Sequence, residues 1–208
     1  MNKQVVNPSD STMVSNNTMF RVPFKHYSIA NWAQRKENLL KVLPTEGYTD
    51  FFTNKQEGIP DYMDTVGEVI SECMQDFSNT YPVPVMITSV WCERAEQYDA
   101  HGPHNHGATG YSCILYVEYD PFVHEPTRFF APFGDPANGD MLEYSPKIKE
   151  GDLIVFPSFL LHEAPLNKSK KKRTIVSFNI MGEDIMKAYY SGLEKKPLTK
   201  PVLGDEKS

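Results

Sequence analysis

The sequence predicts an α+β domain, mainly β, in which two helices buttress one face of a β-sandwich or open barrel. Three observations carry this expectation. Two segments in the first half repeat apolar residues at helical spacing, the texture after Tyr81 changes to short β-branched and aromatic runs, and Gly, Pro, Asn and Asp separate those runs. The 208 residues fit one decorated domain better than two, at roughly 150 residues per domain.

Residues 1–20 are rich in Asn, Ser, Thr and Val without a sustained period, and are expected to pack weakly or add an edge strand within an N-terminal extension over 1–27. From Ser28, a capping-type residue, the run SIANWAQRKENLLKVL sets Ile29, Trp32, Leu39, Leu40 and Val42 at roughly helical spacing. A turn-rich stretch, PTEGYTDFFTNKQEGIPD, leads into YMDTVGEVISECMQDFS. There Met63, Val66, Val69, Ile70, Cys73 and Phe77 recur at three and four, so a second helix is expected and the helical part spans 28–80. The runs VPVMITSVWCERA, TGYSCILYVEY, TRFFAPF, DLIVFPSFLL and RTIVSFNIM read as strands of a β core over 81–182. The single domain is expected to close near 190, leaving 191–208 as a charged, proline-containing tail.

Composition narrows the function classes. Hydrophobic residues at 40% and charged residues at 23% are ordinary globular usage, and no apolar run approaches the ~18 residues that span a bilayer. The first residues lack a basic segment followed by an apolar one, so cytoplasmic residence is the expectation. Three cysteines, Cys73, Cys92 and Cys113, without CxxC spacing read as buried free thiols. Acidic residues outnumber basic ones by 27 to 21, a net charge of −6 that argues against a nucleic-acid partner. Oligomeric state has no signature in the sequence.

Half of the six histidines, His101, His104 and His106, fall in the stretch HGPHNH ahead of a strand. In extended chain, residues two apart share a face, so His104 and His106 can approach one ion while His101 points elsewhere. A third ligand must come from a distant segment, and His162, at the end of GDLIVFPSFLLH, is the expected donor. Arg173 opens the strand RTIVSFNI after a lysine-rich turn, which makes the His162 and Arg173 segments expected neighbours. Alternation puts Arg173, Ile175, Ser177 and Asn179 on one face, and Ser112, Ile114 and Tyr116 on one face of YSCILYVEY. Buried polar groups are costly without a partner, and Arg with Ser and Tyr makes a receptor for a carboxylate. The alternative for Arg173 is a continuation of the basic run at Lys170, Lys171 and Lys172, itself read as a solvated turn. Trp91 and Trp32 read as core or cleft wall, and His26 and His124 as surface or locally hydrogen-bonded residues.

From about Trp91 to Ile180 these motifs (Trp91, HNH, YSCILYV, RFFAPFGDP, GDLIVFPSFLLHEAP and RTIVSFN) resemble the Fe(II)- and 2-oxoglutarate-dependent oxygenases. The resemblance is closest to small prolyl-hydroxylase-like members common in bacteria and in viruses of marine bacteria, which would place a viral protein in the host cytoplasm. It implies a double-stranded β-helix, a jelly-roll, cupin-like barrel. It further implies Fe(II) on His104, His106 and His162, and 2-oxoglutarate held by Arg173 with Ser177, Tyr116, Ser112 and Asn179. Dioxygen would be the oxidant, hydroxylation the reaction, succinate and carbon dioxide the by-products, and peptidyl proline the substrate favoured by analogy.

One position departs from the family pattern. The usual triad places Asp or Glu where this chain has His106, and a neutral imidazole there leaves the centre one unit more positive. Asp99 is the nearest upstream carboxylate and the alternative third ligand. Two other functional classes also use such histidines, a cupin-like metal-binding or sensing domain without redox turnover and a metal-dependent hydrolase or isomerase. Neither needs a buried Arg173.

Overall fold

A computed structural model describes residues 21–80 and 84–194. The expected weak packing of 1–20 and the tail beyond 194 lie outside them. The chain runs β1 (Lys25–Ser28), α1 (Trp32–Val42), α2 (Phe51–Glu57), α3 (Met63–Asn79), β2 (Val85–Ala95), β3 (His101–His104), β4 (Tyr111–Glu118), β5 (Arg128–Gly134), β6 (Met141–Tyr144), β7 (Asp152–Pro157), β8 (Leu161–Ala164), β9 (Arg173–Gly182) and α4 (Glu183–Glu194). Among the described residues nine strands form two antiparallel sheets, a five-stranded one in the order β1-β7-β4-β9-β2 and a four-stranded one in the order β3-β8-β5-β6. This is a double-stranded β-helix.

Helix α3 forms where the period predicts, because Val66, Val69, Ile70, Cys73 and Phe77 make one buried stripe. That stripe, with Leu39 and Leu43 from the end of α1, covers the outer face of the five-stranded sheet through Cys113, Leu115, Val117, Val155, Val176 and Phe178. The opposite side chains of the same strands, Ile114, Tyr116, Ile154, Phe156 and Ile175, fill the space between the sheets. Strands β4 and β7 are therefore buried on both faces, which is why SCILYV and DLIVFP read as continuous apolar runs and not as alternation. Cys73, Cys92 and Cys113 are free and buried, as expected.

Three differences from the expected elements have local causes. The helix does not begin at Ser28, whose hydroxyl donates to Asp152 Oδ1 at 2.7 Å while the residue ends the edge strand β1. Helix α1 starts only after Asn31, which takes a left-handed φ of 51°, a conformation Asn tolerates. The stretch read as turns contains α2, seven residues too short to show a period, closed by Gly58 at φ 102°. Trp32 packs on the turn before β7: a Cβ at Gly151 would lie 2.6 Å from its Cγ, and its indole Nε1 donates to Glu150. Among the described residues no helix is long and apolar enough to cross a membrane.

Candidate active site

Strands β3 and β8 pair with His104 opposite His162, which sets two imidazoles side by side at one end of the four-stranded sheet. His106 lies just beyond β3, where its backbone N–H donates to the Ser158 carbonyl at 2.8 Å and turns the chain back toward the same point. One ring nitrogen of each of His104, His106 and His162 lies within 4.8 Å of the others. The three histidines singled out in the sequence thus lie together in space.

The outer hydrogen bonds of the three rings decide what they offer. The Nδ1 of His104 donates to the Gly102 carbonyl and that of His162 to the Leu160 carbonyl, each at 2.8 Å. A carbonyl can only accept, so the proton sits on Nδ1 and the Nε2 lone pair is free. His106 Nδ1 meets Asn179 Oδ1 and Ser112 Oγ, both at 2.8 Å, and Asn179 is held in that sense by donating its amide to Ser89 Oγ. Metal-binding histidines are commonly oriented in this way by an acceptor behind the ring. Burial, the largest influence, lowers His104 and His106 and pushes His162 down to about 3. All three are thus neutral bases at pH 7, and imidazole nitrogens suit iron. The residues fit an Fe(II) ion.

A stability consequence follows. Below 6.5 the unfolded chain takes up protons that the folded His162 refuses until about 3, so stability falls with falling pH. His101, raised chiefly by its hydrogen bond to Glu93, works in the opposite sense, whereas His104 and His106 shift in the same sense as His162, whose shift is the large one. Metal-free protein is expected to lose about 2 kcal/mol or more between about pH 7 and about pH 5. Melting curves over that range check it, and a Tm that rises on acidification contradicts it.

Several expected positions are corrected. His101 does not point elsewhere: the β3 register shifts between His101 and His104, and the two rings stack with centroids 4.0 Å apart at 12°. Asp99 is no ligand, because its Oδ2 accepts the Glu96 N–H and it stands outside the cluster. Strands β8 and β9 are not neighbours. They belong to different sheets, so Arg173 and Ser177 face the histidines across the interior. Ser112 and Asn179 serve His106 and not the guanidinium, since Asn179 is six residues, about 20 Å of extended strand, from Arg173. The reading of His124 and His26 as surface or locally hydrogen-bonded holds: His124 is buried with its ring nitrogens taken by the Asp120 N–H and the Lys171 carbonyl, and the exposed His26 pairs with Asp152 at 2.9 Å.

Arg173 is 4% exposed, and its Nη1 donates to the Glu125 carbonyl at 3.3 Å. It is no part of the basic surface run. Tyr116, pushed up by burial, shares a 2.7 Å hydrogen bond with the Thr127 hydroxyl. Ser177, Thr127 and the three histidines line a narrow chamber between the sheets with about 20 Å³ of free volume, room for about one water. A second cavity of about 530 Å³ opens in front of His104 and His106, walled by Phe51, Ile59, Val90 and Trp91, with Lys55 and Asn105 also lining it. Sequence reasoning missed the Phe51 wall, Thr127 and Glu93. Glu93 shares a strand face with Trp91 and lines the chamber, so the alternation applied to β9 would have found it on β2.

Residues 89–179, which carry the histidines, Arg173, Ser177 and Asn179, match the family described as "Putative 2OG-Fe(II) oxygenase". No curated protein matches the chain. Among solved structures, the fold is similar to the epimerase SnoN, determined in complex with Fe3+, alpha ketoglutarate and nogalamycin RO, at 14% identity and TM-score 0.57, covering 78% of this chain and 80% of that one. It is also similar to AviO1 from Streptomyces viridochromogenes Tue57, at 14% identity and TM-score 0.55 over 78% and 91%. The viral collagen prolyl hydroxylase from Paramecium Bursaria Chlorella virus-1 follows at 12% identity and TM-score 0.51 over 76% and 95%. The matched segment, residues 89–179, folds as a double-stranded β-helix around neutral imidazoles and is similar over that span to the 2-oxoglutarate- and Fe(II)-dependent oxygenases.

Proposed function

We propose that this oxygenase hydroxylates an organic substrate bound in the cleft between α2 and β2, a prolyl residue in an accessible peptide segment being the first candidate. The observation that carries the reading is the meeting of three unprotonated ring nitrogens at the point where the narrow inner chamber and the 530 Å³ cleft adjoin. One side suits the cosubstrate and the other the substrate. His104, His106 and His162 would hold Fe(II), which when bound supplies the activation of dioxygen and the oxidative decarboxylation of 2-oxoglutarate to succinate and carbon dioxide.

The chain's own part is binding, orientation and exclusion of water. Arg173 would supply a buried cation for a cosubstrate carboxylate, supported by the Tyr116 hydroxyl, which feels the charge of Arg173 and shares a hydrogen bond with Thr127 of the chamber wall. Seating a five-carbon diacid requires the chamber walls to part. Trp91, pinned by its indole N–H on Glu93 Oε1 at 2.8 Å, stacks edgewise on Phe51 and tilts over His106. These rings make a dry, apolar wall for a compact ring such as that of proline.

The test is succinate formation from 2-oxoglutarate by the Fe(II)-loaded protein, with and without proline-containing peptides, followed by mass spectrometry of the peptide. Stimulated succinate and a peptide heavier by one oxygen atom are expected. Succinate that no peptide stimulates removes the prolyl assignment, and tight Fe(II) binding without any succinate returns the protein to the cupin-like metal-binding class.

A further inference from the structure

The three candidate ligands are neutral, so the coordination sphere itself offers an iron no negative charge. A buried anion stands close by. Glu93, on the inward face of β2, is 6% exposed and lines the same chamber as the three histidines. Its carboxylate accepts hydrogen bonds from Trp91 Nε1 at 2.8 Å, His101 Nδ1 at 3.3 Å and the Tyr48 hydroxyl at 3.4 Å. Among the described ion pairs its partner is His101 alone, and that imidazole lies flat against His104. A carboxylate taken out of water this far is costly unless a positive charge answers it.

We propose that Glu93, acting through His101, is the outer carboxylate that supplies the negative charge His106 does not, and so sets the charge and the ring orientation of the metal centre. The proposal rests on the three-histidine reading of the iron site. Glu93 reaches the candidate ligands only through His101 and Trp91, which makes it a positioning residue.

Burial opposes the charge on Glu93, but the hydrogen bonds from His101 and Trp91, with the neighbouring imidazoles, hold the carboxyl below its ordinary value. Its field reaches His104 and His106 and raises both against the larger effect of burial. The stack also fixes one face of the His104 ring, while the Gly102 carbonyl fixes its edge.

A charge role and a purely mechanical one separate in a double-mutant cycle. Fe(II) affinity is titrated anaerobically for the parent, Glu93→Gln, His106→Asp and the double variant, beside the Fe(III)/Fe(II) midpoint potential of each. Glu93→Gln keeps the shape and removes the charge. It is expected to weaken Fe(II) binding by about ten- to hundredfold and to raise the potential. In the His106→Asp background the same change is expected to cost less than about threefold, because Asp has already brought a carboxylate to the ion. Glu93→Asp, which keeps the charge, should retain affinity within about threefold of the parent. No loss in either background, or an equal loss in both, overturns the proposal. A parent that binds no Fe(II) overturns the iron reading beneath it as well, so the two failures are distinguishable. Should Glu93→Gln fail to fold, Glu93→Gln/His101→Gln, which replaces the hydrogen-bonded carboxylate–imidazole pair by an amide pair, takes its place in the cycle with the same expectations.

Discussion

His162→Ala is expected to strip the protein of most of its iron while leaving a folded domain. His162 is 3% exposed, and its Nε2 is the lone pair that the four-stranded sheet contributes from β8. Losing it leaves two ligands, both from the short segment at the end of β3, and two imidazoles on one loop do not hold a labile divalent ion well. The fall in Fe(II) affinity should be about a hundredfold or more, beyond the about ten- to hundredfold that follows from disturbing only the groups behind a ligand. The cavity costs stability too, since Phe129 and Phe156 pack on the ring at 5.9 and 4.8 Å. His162→Gln keeps much of the volume and separates the two effects. Metal content after gel filtration, beside a melting curve, is the measurement. Full retention of iron by both variants would remove His162 from the site.

Arg173→Ala is expected to weaken 2-oxoglutarate by at least about tenfold and leave Fe(II) affinity near that of the parent. A charge-assisted hydrogen bond is worth roughly 1.5–3 kcal/mol, and about 1.4 kcal/mol is a factor of ten. The guanidinium is almost wholly buried and commits Nη1 to the Glu125 carbonyl at 3.3 Å, while its planar fork carries five donors in all. Arg173→Lys tests the geometry, because an ammonium cannot form the paired bonds of the planar fork and should also bind 2-oxoglutarate more weakly. Calorimetric titration of 2-oxoglutarate into the anaerobic, metal-loaded protein reads both variants. An unchanged Kd would leave Arg173 the role of tying the loop at Glu125 to β9.

Part of the fold and of the candidate site is legible in the sequence. The stripe on α3, the β runs after Tyr81 and the His-x-His pair depend on residues a few positions apart, where side-chain period and chemistry speak directly. His162 and Arg173 were legible for another reason: a lone polar residue at the end or start of an apolar strand costs free energy unless something uses it. Short elements were not legible. Helix α2 has only seven residues, and the left-handed Asn31 that delays α1 is a single backbone choice.

By itself the sequence determined where helix α3 and the long strands lie and which side chains are candidates for binding iron and a carboxylate. The tertiary structure alone decided how those groups face one another. Strands β8 and β9 join different sheets although eight residues separate them, which moves Arg173 from beside the histidines to across from them. The shift in β3 that stacks His101 on His104, and the alignment of Ser112 with Asn179 behind His106, exist only once distant strands have paired. A side chain's face is set by register, and a slip of one residue reverses it. Register is chosen by long-range pairing between β3 and β8 and between β4 and β9, so the contacts that orient the candidate ligands, Glu93 among them, appear only when both sheets have closed.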